Sequence, residues 1–320
     1  MKKRFLIIQT AFIGDVILAT PVINNLLSNI PDLEIDVLVK KENVSVLQGH
    51  KGIHQIYCLD KSRKMSSSFE LIRLFRKNKY DTVINLHRFA SSGIITTFSG
   101  AKQKIGFDKN PFSIFYSKKY EHVIGDGTHE VDRNLRLISQ WVTDPSRRPD
   151  LKIDENENEN THDLKEEKYI CLAPASVWAT KEAPLEVWIK TIQNTSKEIK
   201  AIYLLGAPSD TEKCEGLAKA TKHKQVINLC GKLNLRESAS LMKDAAMNYV
   251  NDSAPLHLAS SVNAPVTVFF CSTSPSFGFG PLSSNSSIIE VRNLDCKPCG
   301  LHGHKNCPKG HFRCGKELLN

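Results

Sequence analysis

Phe5-Leu6-Ile7-Ile8-Gln9-Thr10-Ala11-Phe12-Ile13-Gly14-Asp15-Val16-Ile17-Leu18-Ala19-Thr20-Pro21 decides the fold. Phe5–Ile8 is a short apolar run of strand length, and from Val16 to Asn29 the apolar residues recur at helical spacing. A buried strand that passes through a tight turn into a helix is how parallel α/β units begin. Gly14 permits the turn, and Asp15 falls at the cap or first turn of the helix, where free N–H groups stabilise a carboxylate. Two readings of Asp15 stand side by side: a helix cap, or a general base aimed at a hydroxyl. The glycine spacing is not G-x-G-x-x-G, so the dinucleotide fingerprint is absent.

The same rhythm continues outward. Ile35–Val39 and Thr82–Leu86 read as strands and Phe69–Arg76 as helix. Asp154-Glu155-Asn156-Glu157-Asn158-Glu159-Asn160 is polar and without period, and reads as a linker or exposed loop. The expected organisation is therefore a domain over 1–152, a linker over 153–166 and a domain over 167–320. In the second half, Tyr169–Ala173, Ala201–Leu205, Gln225–Asn228, Asn248–Val250 and Val266–Phe270 read as strands. Pro184–Ser196, Thr211–Ala220, Leu235–Ala245 and Ala254–Val262 read as helices. The expected class is α/β, two Rossmann-like domains with parallel sheets facing a central cleft, where a ligand meets the carboxyl ends of the strands.

Composition excludes other classes. With 41% hydrophobic and 24% charged residues in 320, the chain is neither disordered, collagenous nor coiled coil. No apolar run approaches the roughly 18 residues of a transmembrane helix. Lys2, Lys3 and Arg4 precede an apolar stretch that Gln9, Thr10 and Asp15 cut too short for a signal peptide, so a cytoplasmic protein is expected. The net charge is +9, and the excess lies in residues 1–150, which hold 23 basic and 15 acidic side chains against 20 and 19 in the remainder. Such a half suits nucleic acid, an anionic membrane surface or an acidic substrate.

Two further loops carry candidate chemistry. Asn251-Asp252-Ser253-Ala254-Pro255-Leu256-His257 opens a helix after a strand, with Pro early and a polar cap, and such an N-terminus suits an anion such as a diphosphate. Asp252 as a plain cap and His257 as a half-buried helical histidine are the competing readings. Ala173–Pro184 is rich in small residues and offers Ser176, Thr180 and Lys181 to a phosphate, although it is not a G-x-x-x-x-G-K-[ST] loop.

Nine cysteines complete the inventory. Cys58, Cys171, Cys214, Cys230 and Cys271 are isolated and read as buried thiols. Cys296, Cys299, Cys307 and Cys314, with His302, His304 and His311, crowd the end of the chain. A zinc site, a structural tail of thiols or disulfides, and a redox role remain open there, since only the first pair has C-x-x-C spacing.

The T-A-x-I-G-D-x-I-L-x-T-P and N-D-S-x-x-x-H-x-A segments, the Lys181 loop, Asn228–Lys232 and Pro275–Pro281 together resemble the ADP-heptose:lipopolysaccharide heptosyltransferases, the GT-B glycosyltransferases of family nine. The resemblance runs in order through nearly the whole chain. It implies an inverting transferase that moves a heptose from ADP-heptose to the inner core of lipopolysaccharide, with the acceptor on the N-terminal domain and the donor on the C-terminal one. Asp15 would match the general base and Lys181 the lysine on the donor phosphates, with Ser176 and Thr180 beside it. Asp252, Ser253 and Ala254 would underlie the diphosphate and heptose, His257 would be the histidine of that helix, and Asp210 or Glu212 would contact the ribose. The family often has Gly where this chain has Ala254, which narrows the approach of a phosphate to the backbone.

No cofactor or catalytic metal is implied, because a lysine and a helix N-terminus stabilise a leaving diphosphate by themselves. The implied partner is an anionic glycolipid at the cytoplasmic face of the inner membrane, which Lys61, Arg63, Lys64, Arg88, Lys102, Lys104 and Arg133 would steer, and His129–Asn134 resembles an acceptor-side segment. The same fold acting on another nucleotide sugar or glycolipid is the nearest alternative. A nucleic-acid-binding protein with a Cys/His tail is a remote one, for the chain has no recognisable reader motif.

Overall fold

The computed structural model describes residues 2–60, 64–221 and 225–319. The chain divides into two compact units, residues 1–152 and 153–320. In the first, β1 (Lys3–Ile8), β2 (Leu33–Lys40), β3 (Ile53–Leu59), β4 (Thr82–Asn85), β5 (Gln103–Phe107) and β6 (Lys118–Tyr120) form a sheet in the order β3-β2-β1-β4-β5-β6, parallel throughout. Its helices are α1 (Ile13–Ile17), α2 (Thr20–Asn29), α3 (Val44–Leu47), α4 (Lys64–Asn78), α5 (Ala90–Phe98) and α6 (Glu130–Arg136).

The second unit adds α7 (Glu155–Glu159), β7 (Tyr169–Ala173), α8 (Leu185–Gln193), β8 (Ala201–Leu204), α9 (Thr211–Thr221), β9 (Val226–Asn228), α10 (Leu235–Asp244), β10 (Asn248–Asn251), α11 (Ala254–Ser261), β11 (Val266–Phe270), β12 (Ser286–Glu290) and α12 (Arg313–Lys316). Its parallel sheet runs β12-β11-β10-β7-β8-β9, which repeats the doubly wound order of the first. Every residue of β7 and β11 is buried, as continuous apolar runs in a sheet covered on both faces require. Trp188 of α8 packs edge-on against Phe269 of β11 at 5.1 Å between ring centroids.

In a doubly wound sheet the strand order reverses at one point, and loops leaving the carboxyl ends there diverge and open a crevice. In the first sheet the reversal lies between β1 and β4; in the second, between β7 and β10. The loops that hold Asp15, Lys181 and Asp252 all leave strands at these two points.

Three expectations change. The single helix over Val16–Asn29 is broken between Ile17 and Thr20, because Pro21 sits in the first turn of α2 and Thr20 Oγ1 donates back to the Ile17 carbonyl at 2.7 Å. The stretch over 153–166 is not a free linker. Asp154 caps α7 and Glu157 closes the capping box, Arg236 of α10 reaches both carboxylates at 3.3 and 3.1 Å, and fully buried Thr161 meets Ser240 at 3.1 Å. Caps and one buried cation form this helix where periodicity gives no sign of it. Finally, Cys58 is exposed, whereas Cys171, Cys214, Cys230 and Cys271 are buried.

Candidate active site

In the first unit, Asp15 lies in α1, directly after the carboxyl end of β1. Its Oδ2 accepts the Phe12 N–H at 3.1 Å, so it does cap the helix, yet its pKa is not that of a relaxed cap. Burial, then the nearby Glu130 carboxylate, raises it to about 6, while the Phe12 N–H and the Arg88 guanidinium pull the other way. Arg88 stands in the loop after β4, on the opposite side of the reversal. Thr10 Oγ1 and His87 Nδ1, 2.9 Å apart, join the two loops.

Glu130, at the start of α6, belongs to the segment expected on the acceptor side, but its place beside Asp15 is not expected from the sequence. Burial would raise its own pKa, but His122, with Nε2 3.3 Å away, and Arg133, with Nε at 2.8 Å, hold it low and therefore charged. Arg133 corrects an expectation: it is 1% exposed and is consumed by Glu130 and by the Val123 and Thr128 carbonyls at 3.0 and 2.6 Å. It braces the carboxylate beside Asp15 and presents no cation to an acceptor. Arg63, expected on the acceptor side, lies outside the described residues, as does Lys61.

In the second unit the loop after β7 meets the loop after β10. Lys181 Nζ lies 2.7 Å from Asp252 Oδ2, with the side chains 15% and 8% exposed, and Thr273 Oγ1 donates to the same oxygen at 2.6 Å. Asp252 is thus no cap; the N-cap of α11 is Ser253, whose backbone is extended and whose hydroxyl makes no capping bond. Ala254 begins the helix. Asn251 holds both loops, donating to the Pro174 carbonyl at 2.9 Å and accepting the Ala183 N–H at 2.9 Å.

Thr180 is buried, its Oγ1 accepting from Ser272 Oγ at 2.9 Å and from the His304 N–H at 2.7 Å, so it supports the loop and does not present its hydroxyl. Ser176 is half-buried and accepts the Trp178 N–H at 3.4 Å, while Glu182, bound to the Ser176 N–H at 2.9 Å, is paired with Lys213 at 2.6 Å. Asp210 follows β8 but spends Oδ2 on the Ala207 N–H at 2.8 Å. Glu212 occupies the first turn of α9. His257 is buried in α11, with the Phe279 ring 6.3 Å away.

The cysteine tail wraps onto this same loop. Thr180 N–H donates to the His304 carbonyl at 3.1 Å, and Cys299 N–H to the Ser272 carbonyl at 2.9 Å. Gly303, at φ +79°, lies so near that an added Cβ would stand 2.9 Å from Lys181 Cγ. All four tail cysteines are free thiols. Burial raises Cys299, and raises Cys314 to about 11, in both cases helped by neighbouring cysteines. Burial would raise Cys307 too, but the N–H groups of Phe312, Lys309, Gly310 and His311 hold it below the ordinary thiol value.

Zinc is one of the open readings of the cysteine tail, and among the described residues no three tail cysteines or histidines bring their ligand atoms within 4.8 Å of one another. Among the described residues, the groups of three metal-ligating side chains whose ligand atoms lie within 4.8 Å of one another are Glu34, Asp36 and His54, and His162, Asp163 and Glu166. The first holds Arg4 against both carboxylates, at 2.7 and 3.5 Å, and the second is exposed.

A carboxyl of raised pKa at one reversal point and a lysine braced beside a helix N-terminus at the other, on two doubly wound sheets, suit a glycosyltransferase of the GT-B class. The sequence profile of glycosyltransferase family 9 (heptosyltransferase) matches residues 68–309, and the chain belongs to that family. It is 28% identical to lipopolysaccharide heptosyltransferase 3 of Escherichia coli over 291 residues, which span 86% of this chain and 85% of that protein. The solved family 9 glycosyltransferase of Veillonella parvula superposes with a TM-score of 0.81 at 21% identity, over 99% of this chain and 97% of that one. The E. coli ADP-heptose lipopolysaccharide heptosyltransferase II gives 0.77 at 19%, over 100% and 98%. No described helix is long and apolar enough to cross a membrane.

Proposed function

We propose that this enzyme transfers a heptose from ADP-heptose to the inner core of lipopolysaccharide, with inversion at the anomeric carbon. The first unit takes the acceptor and the second the donor. The raised pKa of Asp15 carries the reading, because a carboxyl near 6 is still ionised at neutral pH yet is a stronger base than an ordinary aspartate. Asp15 takes the proton of an acceptor hydroxyl as that oxygen bonds to the anomeric carbon. The bond from that carbon to the diphosphate oxygen breaks, and ADP departs with the electron pair.

Charge then accumulates on the diphosphate. Lys181, oriented by Asp252 and Thr273, and the first turn of α11 supply a fixed positive field for it. The names of the E. coli relative and of the E. coli structural neighbour support the donor and acceptor assignment. The basic excess of the first 150 residues supports an anionic glycolipid and contact with the inner membrane surface.

The test is transfer from ADP-heptose to a panel of truncated lipopolysaccharide cores, with Asp15→Ala and with UDP- and GDP-sugars as controls. Product on one core, abolished by the substitution, is the expected result. Transfer from another nucleotide sugar in its place would overturn the donor while leaving the glycosyltransferase class intact.

A further inference from the structure

The loop after β5 contains Phe112-Ser113-Ile114-Phe115 in a tight 3₁₀ turn. Ile114 is 78% and Phe115 59% exposed, while Tyr116 beside them is buried and accepts from Asn85 Nδ2 at 2.8 Å. The tip is not loose. Ser113 Oγ donates to the Asp108 carbonyl at 2.9 Å, and Phe112 packs on α5 so closely that a Cβ on Gly93 would lie 3.0 Å from its own Cβ. Asn110 Nδ2 donates to the His87 and Phe89 carbonyls, both at 3.0 Å, which ties this loop to the one after β4. Phe89 there is 61% exposed. His87 in turn meets Thr10 in the Asp15 loop at 2.9 Å.

One hydrogen-bonded rim therefore runs from the base to a rigid apolar tip. Single exposed apolar residues are ordinary, but adjacent large ones on a fixed tip mark a contact surface. The charges beside them select the partner. Lys109, whose Nζ lies 4.0 Å from Asp108 Oδ2, and Lys118 and Lys119 of β6 flank the tip in the sequence and are exposed, and no acidic residue lies between Lys109 and Lys119. An exposed apolar tip with exposed lysines on either side of it in the chain matches the acyl boundary and phosphates of a bilayer.

We propose that Ile114 and Phe115 insert into the headgroup boundary of an anionic phospholipid bilayer, with the flanking lysines on its phosphates, and so hold the Asp15 rim against the membrane that carries the acceptor. The orienting part of this inference rests on the glycolipid-acceptor reading.

The test uses the full chain with phosphatidylglycerol–phosphatidylethanolamine vesicles and with phosphatidylcholine vesicles. Wild type is expected to sediment with the former. The Ile114→Ser, Phe115→Ser double variant should melt like wild type and lose at least tenfold in vesicle partitioning. Lys118→Glu with Lys119→Glu should remove the preference for anionic lipid. The Ile114, Phe115 variant should also transfer poorly to an acceptor embedded in vesicles and normally to the same core after deacylation.

Equal partitioning of wild type and double variant would overturn the proposal, as would a wild type that ignores vesicles, or one that forms a dimer which the double variant dissolves. Tip-dependent vesicle binding without any heptose transfer would defeat the functional reading and leave the membrane surface standing.

Discussion

The two sheets share one strand order and one location for their functional loops, yet the side chains at those locations are opposite in kind. At the β1/β4 reversal stands a carboxylate whose pKa is pushed up; at the β7/β10 reversal stands a lysine fixed by a carboxylate. Topology supplies a crevice, and the residues around it decide the chemistry. The neighbours differ accordingly. Asp15 is raised by burial and then by a second acid, Glu130, whereas Lys181 is held in place by Asp252.

The largest effect should come from the first region. Asp15→Asn keeps an acceptor for the Phe12 N–H but removes the base, and turnover is expected to fall about 10²- to 10⁴-fold with ADP affinity unchanged. A large loss of ADP affinity would blur the division between the units.

Lys181→Ala should strike both donor affinity and turnover, the latter by about 10²- to 10³-fold, since it removes a charge used as the diphosphate departs. Isothermal titration with ADP beside steady-state kinetics reads both, and loss of neither would take Lys181 out of the site. Gly303→Ala tests the same region more gently. It forces a Cβ against the Lys181 stem at a positive φ, so the donor KM should rise several-fold to about tenfold, with the Asp15-dependent step untouched.

The pH profile sharpens the comparison. As pH falls through about 6, Asp15 gains its proton and the rate should fall with it. Glu130→Gln removes the neighbouring negative charge, so this acidic limb should move to lower pH. The variant also leaves Arg133 buried without its carboxylate and should melt earlier. A limb that stays in place would mean that burial alone sets the Asp15 pKa.

Much of this was legible before any coordinates. The continuous apolar runs at Tyr169–Ala173 and Val266–Phe270 coincide with β7 and β11, and the helices opened by Leu235 and Ala254 begin at those residues. Strands at Ile53–Leu59, Gln103–Phe107, Lys118–Tyr120 and Ser286–Glu290 gave no comparable signal. β3 and β6, at sheet edges, carry polar residues among apolar ones, and β12 is largely exposed. Their pairing is a property of the sheet they join.

Sequence by itself determined the alternation of strand and helix, the two-unit plan and the motifs that bear Asp15, Lys181 and Asp252, because periodicity and turn chemistry are local. Only the tertiary structure decided what those residues do to one another. It brought Glu130 to Asp15 across more than a hundred residues of chain, joined Lys181 to Asp252, buried Arg133 and laid the cysteine tail on the Thr180 loop. Charge and desolvation act through space, and no pattern along the chain encodes which distant group will be near.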